Sequence, residues 1–205
     1  TDPSREARDR IAAATEALLA EEGIATVNVS AIMRRAGISR TAFYRQFDDV
    51  YAVIATVLEA LVQELLDASG DWFRGETGTP GIVRGNLLSF AQSFEVHGRT
   101  LEAIRTAGSL DDRIGAMWRG LVHAFRDATE AAIRRDQAVG AIDADLDPTA
   151  AAMALTWMGE QASIDLLGRR AERDPVSGAE AYADLLTPVW SRTLFGIPAT
   201  LADGA

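Results

Sequence analysis

Apolar residues recur three and four positions apart along almost the whole chain, and no stretch alternates apolar and polar residues as a half-buried strand would. Ile11, Ala14 and Leu18 open the pattern, and Val50, Val53, Ile54, Val57, Leu58, Leu61, Val62 and Leu65 give it its widest stripe. A chain patterned this way can bury its apolar stripes only by packing helix on helix. We expect an all-α fold of about nine helices: an N-terminal three-helix domain over residues 1–48 and a larger helical bundle over 49–205.

The punctuation between stripes sets the expected boundaries. A first helix runs from about Arg5 to Glu22 and stops at Gly23. Ser30 is expected to cap a short helix through Ala36, Gly37 breaks it, and Ser39 caps another holding Phe43 and Phe47. Asp48 and Asp49 suit the positive end of the long helix that follows. Gly70 to Gly81 reads as a loop. The next helix carries Val83, Leu87, Phe90, Ala91 and Phe94 to a stop near Gly98, with a short helix over Leu101–Ala107. Ser109 and Asp112 suggest a capping box for a helix to about Arg135. Gly140 to Asp147 is a loop, and Asp147 before Pro148 opens another helix. Arg169 to Asp174 is a charged connection, Ser177 and Glu180 a second capping box, and Gly196 ends the last helix. Pro188 inside that helix implies a kink and a freed carbonyl near Asp184.

Charge is segregated. The net charge of -10 comes from 20 basic and 30 acidic residues, and every basic residue is arginine. From Gly23 to Phe47 there is no acid, while Arg34, Arg35, Arg40 and Arg45 all fall there. A local concentration of cations on an acidic protein suits phosphate binding, although a solvated basic face would look the same. Two short helices around Gly37 have the spacing of a helix-turn-helix. Ile32, Ala36, Ile38, Phe43 and Phe47 would pack the pair, leaving Ser30, Arg34, Arg35, Ser39, Arg40, Thr41, Ala42, Tyr44 and Arg45 for DNA. Arg can pair with guanine, a Thr methyl can touch thymine, and Tyr can bind phosphate. Spacing alone is equally compatible with a helical hairpin whose exposed face is basic.

The run Gly37-Ile38-Ser39-Arg40-Thr41-Ala42-Phe43-Tyr44-Arg45-Gln46-Phe47 resembles the helix-turn-helix signature of TetR-family transcriptional regulators. Ala17-Leu18-Leu19-Ala20-Glu21-Glu22-Gly23 and Val29-Ser30-Ala31-Ile32 are similar to that family's first helix and second-helix entry. The resemblance implies a ligand-responsive repressor, homodimeric on a palindromic double-stranded operator, with a helical ligand-binding domain. The family commonly places a lysine shortly after the Phe47 position, where it binds DNA phosphate; here the chain reads Asp48-Asp49-Val50-Tyr51. DNA binding that weakens steeply with salt is therefore expected, with Arg34, Arg35, Arg5 or Arg8 compensating.

Trp118, the run Leu155-Thr156-Trp157-Met158-Gly159-Glu160, and Val189-Trp190 through Leu194-Phe195-Gly196 resemble the EthR-like branch of the family. That resemblance implies a long apolar ligand tunnel. Its lining would come from Phe90, Phe94, Trp118, Val122, Phe125, Met153, Trp157 and Trp190, with Thr129, Thr156, Glu160, Gln161 and His123 as polar groups. Aromatics at helical spacing commonly just fill a core, so the pocket rests on the resemblance. No basic residue interrupts the stripes, which points to a neutral, mostly apolar effector. The last two helices would pair with their copies through Ala162, Leu166, Ala181, Leu185 and Val189.

Other chemistry finds little support. Without cysteine or lysine there is no thiolate, Schiff base or Walker A lysine. Asp143, Asp145 and Asp147 open like a calcium loop, but Pro148 and Ala154 stand where glycine and glutamate are required. No metal or cofactor is expected. No apolar run is long enough for a membrane span and no leader is evident, so a cytoplasmic setting is expected. A helical enzyme using His123 or Glu160, or a binding module without DNA, are the alternatives.

Overall fold

The computed structural model describes residues 3–68, 70–167 and 177–196. Among these are nine α-helices and no strand: α1 Pro3–Glu22, α2 Val29–Ala36, α3 Arg40–Gln46, α4 Val50–Asp67, α5 Gly70–Phe73, α6 Pro80–Ala107, α7 Asp112–Ala138, α8 Pro148–Leu167 and α9 Ala179–Phe195. A single 3-10 turn, Ile24–Thr26, joins α1 to α2. The chain divides into two compact units, residues 1–63 with 99–120 and residues 64–98 with 121–205.

In the first unit α2 and α3 pack on α1 and on each other. Ile11, Leu19, Ile32 and Phe43 are completely buried, and Phe47 nearly so, which is the helical pattern of the sequence expressed as a core. Gly37 ends α2 in the left-handed conformation at φ 64°, a geometry that costs glycine little and lets α3 begin three residues later. Ser39 caps α3, its hydroxyl accepting from the Ala42 N–H at 3.2 Å. The expected cap at Ser30 is displaced by two residues. Asn28 is the residue with extended backbone before α2, and its Oδ1 accepts from the Ala31 N–H at 3.0 Å, so Ser30 lies in the first helical turn.

The same unit contains the corner between α6 and α7. Gly108 and Gly115 meet there so closely that a Cβ on Gly115 would sit 2.7 Å from the Gly108 carbonyl oxygen. Asp111, not the expected Ser109, caps α7, accepting from the Arg113 N–H at 2.9 Å. The Ser109 hydroxyl instead turns back to the Thr106 carbonyl at 2.7 Å. No helix break occurs at Gly98: α6 is one helix of 28 residues. Gly98 is buried, as are Phe94 and Leu101 on either side, and burial outweighs the roughly 1 kcal/mol that an interior glycine costs.

In the second unit α8 packs on α9. The stretch expected as a loop from Gly70 begins instead with α5, which drives Trp72 into the core at 1% exposure. A four-residue helix has no room for a periodic pattern, so nothing short of burial reveals it. Asp147 caps α8 through the Thr149 and Ala150 N–H groups, as expected, with Pro148 following. The N-cap of α9 is Gly178, one residue after the expected Ser177. Gly178 precedes α9 without a side-chain cap, and the Ala179 N–H donates to Glu95 of α6 at 3.0 Å. Pro188 lies within α9, which continues past it to Phe195. The charged connection Arg169–Asp174 lies outside the described residues.

Candidate nucleic-acid interface and effector region

The helix-turn-helix presents its cations outward. Ser30, Arg34, Arg35, Ser39, Arg40, Thr41, Tyr44 and Arg45 are exposed and Ala42 is half-buried. Arg40 and Tyr44, four apart on α3, form one projecting pair: the guanidinium lies 5.4 Å from the ring centre and donates to the Tyr44 hydroxyl at 3.5 Å. Tyr44 in turn meets the buried Phe43 edge-on at 5.3 Å, which ties the exposed ring to the core.

The four arginines are not equivalent. Arg35 makes a two-pronged ion pair with Glu21 of α1. The Arg35 hydrogen bond holds the Glu21 carboxyl below its ordinary range. Arg34, Arg40 and Arg45 have no acidic partner among the described residues. Arg8, one of the residues expected to compensate for the acids after Phe47, is engaged elsewhere. It lies 4.4 Å from the Phe47 ring centre and donates to the Gln46 carbonyl and the Thr56 hydroxyl, each at 3.2 Å. It therefore fastens the end of α3 to α1 and α4.

The acids themselves have structural work. Asp49 Oδ1 accepts from the Ala52 N–H at 2.8 Å, which makes Asp49 the cap of α4. Its Oδ2 accepts from Arg113 of α7 at 3.1 Å, and the same guanidinium lies 5.2 Å from the Tyr51 ring centre. Arg113 also pairs with Asp111, holding that carboxyl below its ordinary range. The sequence offered no sign of this contact, because Arg113 lies 64 residues from Asp49.

The second unit gathers some of the expected effector residues and separates others. Phe90 is the hub of an aromatic cluster, 5.3 Å from Phe125, 5.7 Å from Phe94 and 5.9 Å from Tyr182. Tyr182 was not anticipated; its hydroxyl donates to the Gly159 carbonyl at 3.4 Å, and burial raises its pKa. Val122, Thr129, Thr156 and Trp190 are buried. The Thr129 hydroxyl donates to the Phe125 carbonyl at 2.8 Å. Trp190 meets Trp72 edge-on at 6.3 Å. Glu160 is half-buried, and Trp118 is buried within the first unit.

Met153, Trp157 and Gln161 do not join the cluster. Ala152, Leu155, Thr156, Gly159 and Ser163 take the buried face of α8, so positions 153, 157 and 161 fall opposite. Met153 is 37% exposed and Trp157 55%. On α9, Leu185 and Val189 are likewise exposed, at 57% and 44%. Both helices of this packed pair thus present an apolar stripe to solvent. Ala162, Leu166 and Ala181 are half-buried, and His123 is exposed on α7.

The unit also holds a buried carboxylate that periodicity could not reveal. Asp136, with no exposure, accepts from Trp72 Nε1 at 2.7 Å and from the Gly78 N–H at 2.8 Å. Arg135 donates to its other oxygen at 3.0 Å and to the Trp72 and Glu76 carbonyls. Among the described residues no cluster of His, Cys, Asp and Glu could hold a metal ion, and no helix is long and apolar enough to cross a membrane. The triplet that opens like a calcium loop serves helix entry instead, Asp143 accepting from the Asp145 N–H and Asp147 capping α8.

Comparison with known proteins gives two family matches. Residues 11–54 match the model described as bacterial regulatory proteins, tetR family, and residues 83–196 that described as transcriptional regulator EthR, C-terminal domain. The HTH-type transcriptional regulator EthR of Mycolicibacterium smegmatis is 26% identical over 196 residues, covering 95% of this chain and 89% of that protein. The regulator of the same name from Mycobacterium tuberculosis is 26% identical over 202 residues, covering 95% and 90%. Among solved structures, Salmonella enterica GusR superposes with a TM-score of 0.75 at 20% identity, over 95% of this chain and 97% of that one.

Proposed function

Because the chain belongs to the TetR family of bacterial regulatory proteins, with a C-terminal domain of the EthR type, we propose that it is a repressor released from a palindromic operator by a small, mostly apolar effector. It is a helix-turn-helix transcriptional regulator and not an enzyme. The observation that carries the finer reading is the face of α2 and α3, on which Arg34, Arg40 and Arg45 stand exposed beside Tyr44 without an acidic partner among the described residues.

α3 enters the major groove. Arg40, Thr41, Ala42 and Tyr44 meet base edges or the adjoining backbone, and Ser30, Arg34, Arg35, Ser39 and Arg45 contact phosphates. Two protomers pair through α8 and α9, which supports a role for the exposed Met153, Trp157, Leu185 and Val189 in that interface beside Ala162, Leu166 and Ala181. The pair sets two recognition helices about 34–36 Å apart, one helical turn of DNA. The effector occupies the interior around Phe90, Phe125 and Trp190 in the cytoplasm. It shifts the spacing only by as much as its affinity differs between the two states.

A mobility-shift assay on DNA flanking the gene tests the reading. Specific, salt-sensitive retardation of a palindromic fragment by a dimer, lost in Arg40→Ala, is the expected result. Retardation with no sequence preference, or none, overturns it.

A further inference from the structure

Arg8 of α1 is exposed, yet within the first unit its guanidinium is engaged on three fronts. One amino group donates to the Gln46 carbonyl and the other to the Thr56 hydroxyl, each at 3.2 Å, and the Phe47 ring centre lies 4.4 Å from the guanidinium carbon. These partners are the last residue of α3, the residue that follows it and a residue of α4. Gln46 also donates from its side chain to the Ser4 hydroxyl at 2.8 Å, a second tie between the start of α1 and the end of α3.

Each contact answers a local need. The last carbonyls of a helix have no partner within it, and a cation there also meets the negative end of the helix dipole. α3 ends at Gln46, and the Phe47 N–H closes its final turn on the Phe43 carbonyl at 3.0 Å. The Thr56 hydroxyl gives its proton to the Ala52 carbonyl at 3.2 Å, so toward Arg8 it can only accept. Phe47 is 4% exposed, and the guanidinium lies over its ring. Only Phe47, Asp48 and Asp49 separate α3 from α4, and the Arg8 contacts fall on both sides of that joint.

Arginine suits this place because its flat fork offers donors in two directions and a face to an aromatic ring. Lysine carries the same charge but has neither the fork nor the plane. We propose that Arg8 is a positioning residue for DNA binding: it holds the end of α3 at the angle from which the exposed side chains of that helix reach DNA, and it does not itself neutralise a phosphate. Its cation serves the joint between α3 and α4. This rests on the reading of the chain as an operator-binding regulator, and it removes Arg8 from the cations expected to stand in for the family's lysine after Phe47.

The probe is a fluorescein-labelled palindromic duplex from the DNA flanking the gene, titrated by anisotropy with the full-length protein across a salt series. Arg8→Lys separates the two roles, because a phosphate contact survives in it and the three-way contact does not. The expected result is about tenfold weaker binding for Arg8→Lys and Arg8→Met alike, with a salt slope within about 0.3 of that of the unsubstituted protein. Thr56→Val removes one acceptor and leaves the charge, and is expected to weaken binding about threefold at the same slope. Where Arg8→Met does not fold, Arg8→Lys and Thr56→Val carry the test. Normal affinity in Arg8→Lys with a slope lowered by about one in Arg8→Met is the behaviour of a phosphate contact and overturns the proposal. Unchanged affinity in all the variants overturns it too.

Hydrogen exchange gives a readout without DNA. Amides of Tyr44 to Phe47 are expected to exchange about tenfold faster in Arg8→Lys and about threefold faster in Thr56→Val, while those of Ile11 and Ile32 keep their rates. Unchanged exchange at the end of α3 overturns the proposal, and so does acceleration shared equally by Ile11 and Ile32, which reports a general loss of stability. A duplex that the unsubstituted protein fails to bind refutes the operator reading alone; the exchange result still decides whether Arg8 holds α3.

Discussion

Arg113 of α7 donates to Asp49, the residue that caps α4, and thereby joins the corner between α6 and α7 to the segment that follows α3. Asp49 spends one oxygen on the helix terminus and the other on the guanidinium. Asp49→Ala removes both contacts and is expected to cost about 1 kcal/mol for the cap alone. Arg113→Ala leaves the cap intact and is expected to cost less. Urea unfolding of the two variants and their double mutant checks the order; a larger loss in Arg113→Ala refutes it.

Acid weakens this unit through two carboxyls. Asp111 and Glu21 both titrate below their ordinary values of 3.8 and 4.5, through Arg113 and Arg35 respectively. A depressed pKa contributes stability that is complete above the unfolded value and is lost as pH falls through the folded one. Melting temperature should therefore owe no change to these groups between about pH 7 and 5.5, and should fall below about pH 4. In a variant with both Arg35→Ala and Arg113→Ala, the acid limb is expected to be shallower. Parallel limbs in circular-dichroism melts would remove the two pairs from the explanation.

Unequal pairing of the arginines predicts unequal effects on DNA. Arg34 has no acidic partner among the described residues, so Arg34→Ala should lower the salt slope of operator binding by about one. Arg35 already shares its charge with Glu21, and Arg35→Ala is expected to change the slope less. Fluorescence anisotropy across a salt series measures both. Equal slopes for the two variants would show that Glu21 yields Arg35 to the DNA.

Trp157 is the largest exposed apolar side chain on α8, and burying it against a second copy makes it a candidate anchor. Trp157→Glu is expected to weaken self-association by more than about 2 kcal/mol, roughly thirtyfold, while helicity is retained. Sedimentation velocity provides the measurement. A variant that stays dimeric at micromolar concentration would move the pairing surface away from α8.

Asp136 holds α5 and the segment through Gly78 against the end of α7. Asp136→Ala strands a buried indole N–H and a backbone N–H and should cost about 3–5 kcal/mol. Thermal unfolding followed by tryptophan emission would register the loss of the Trp72 environment. A loss below about 1 kcal/mol would mean that another acceptor replaces the carboxylate.

How far the sequence could be read depended on the range of the interaction. Ile11, Ile32, Phe43 and Phe47 repeat within a turn or two, and their burial follows from local period. Gly37, Ser39 and Asp147 act on backbone only a few residues away, and each ended or began a helix where expected. Asn28 displaced Ser30 as a cap because two eligible residues lay within one turn and only backbone conformation separates them. The long α6 was missed because a glycine's local cost was read without the burial that overrides it. Asp136 with Trp72, Arg113 with Asp49 and Tyr182 with Phe90 join positions 64 to 92 residues apart. Neither period nor motif reports such pairs. Trp157 and Trp190 are the same residue type on neighbouring helices, yet one faces solvent and the other is buried, because helix rotation decides it.

The contact between Gly108 and Gly115 bears on how this protein could be altered by selection or by hand. Gly115 admits only a hydrogen atom where every other residue carries carbon, and a Cβ on Gly108 would press to 3.1 Å from the Gly115 backbone, so the corner between α6 and α7 has few neighbouring sequences to drift through. A library that varies the exposed residues of α3 can range widely while the backbone stays put. One that varies this corner would return mostly broken molecules. Anyone re-engineering α3 or the second unit should leave Gly115 untouched and change Gly108 only together with the backbone it presses on.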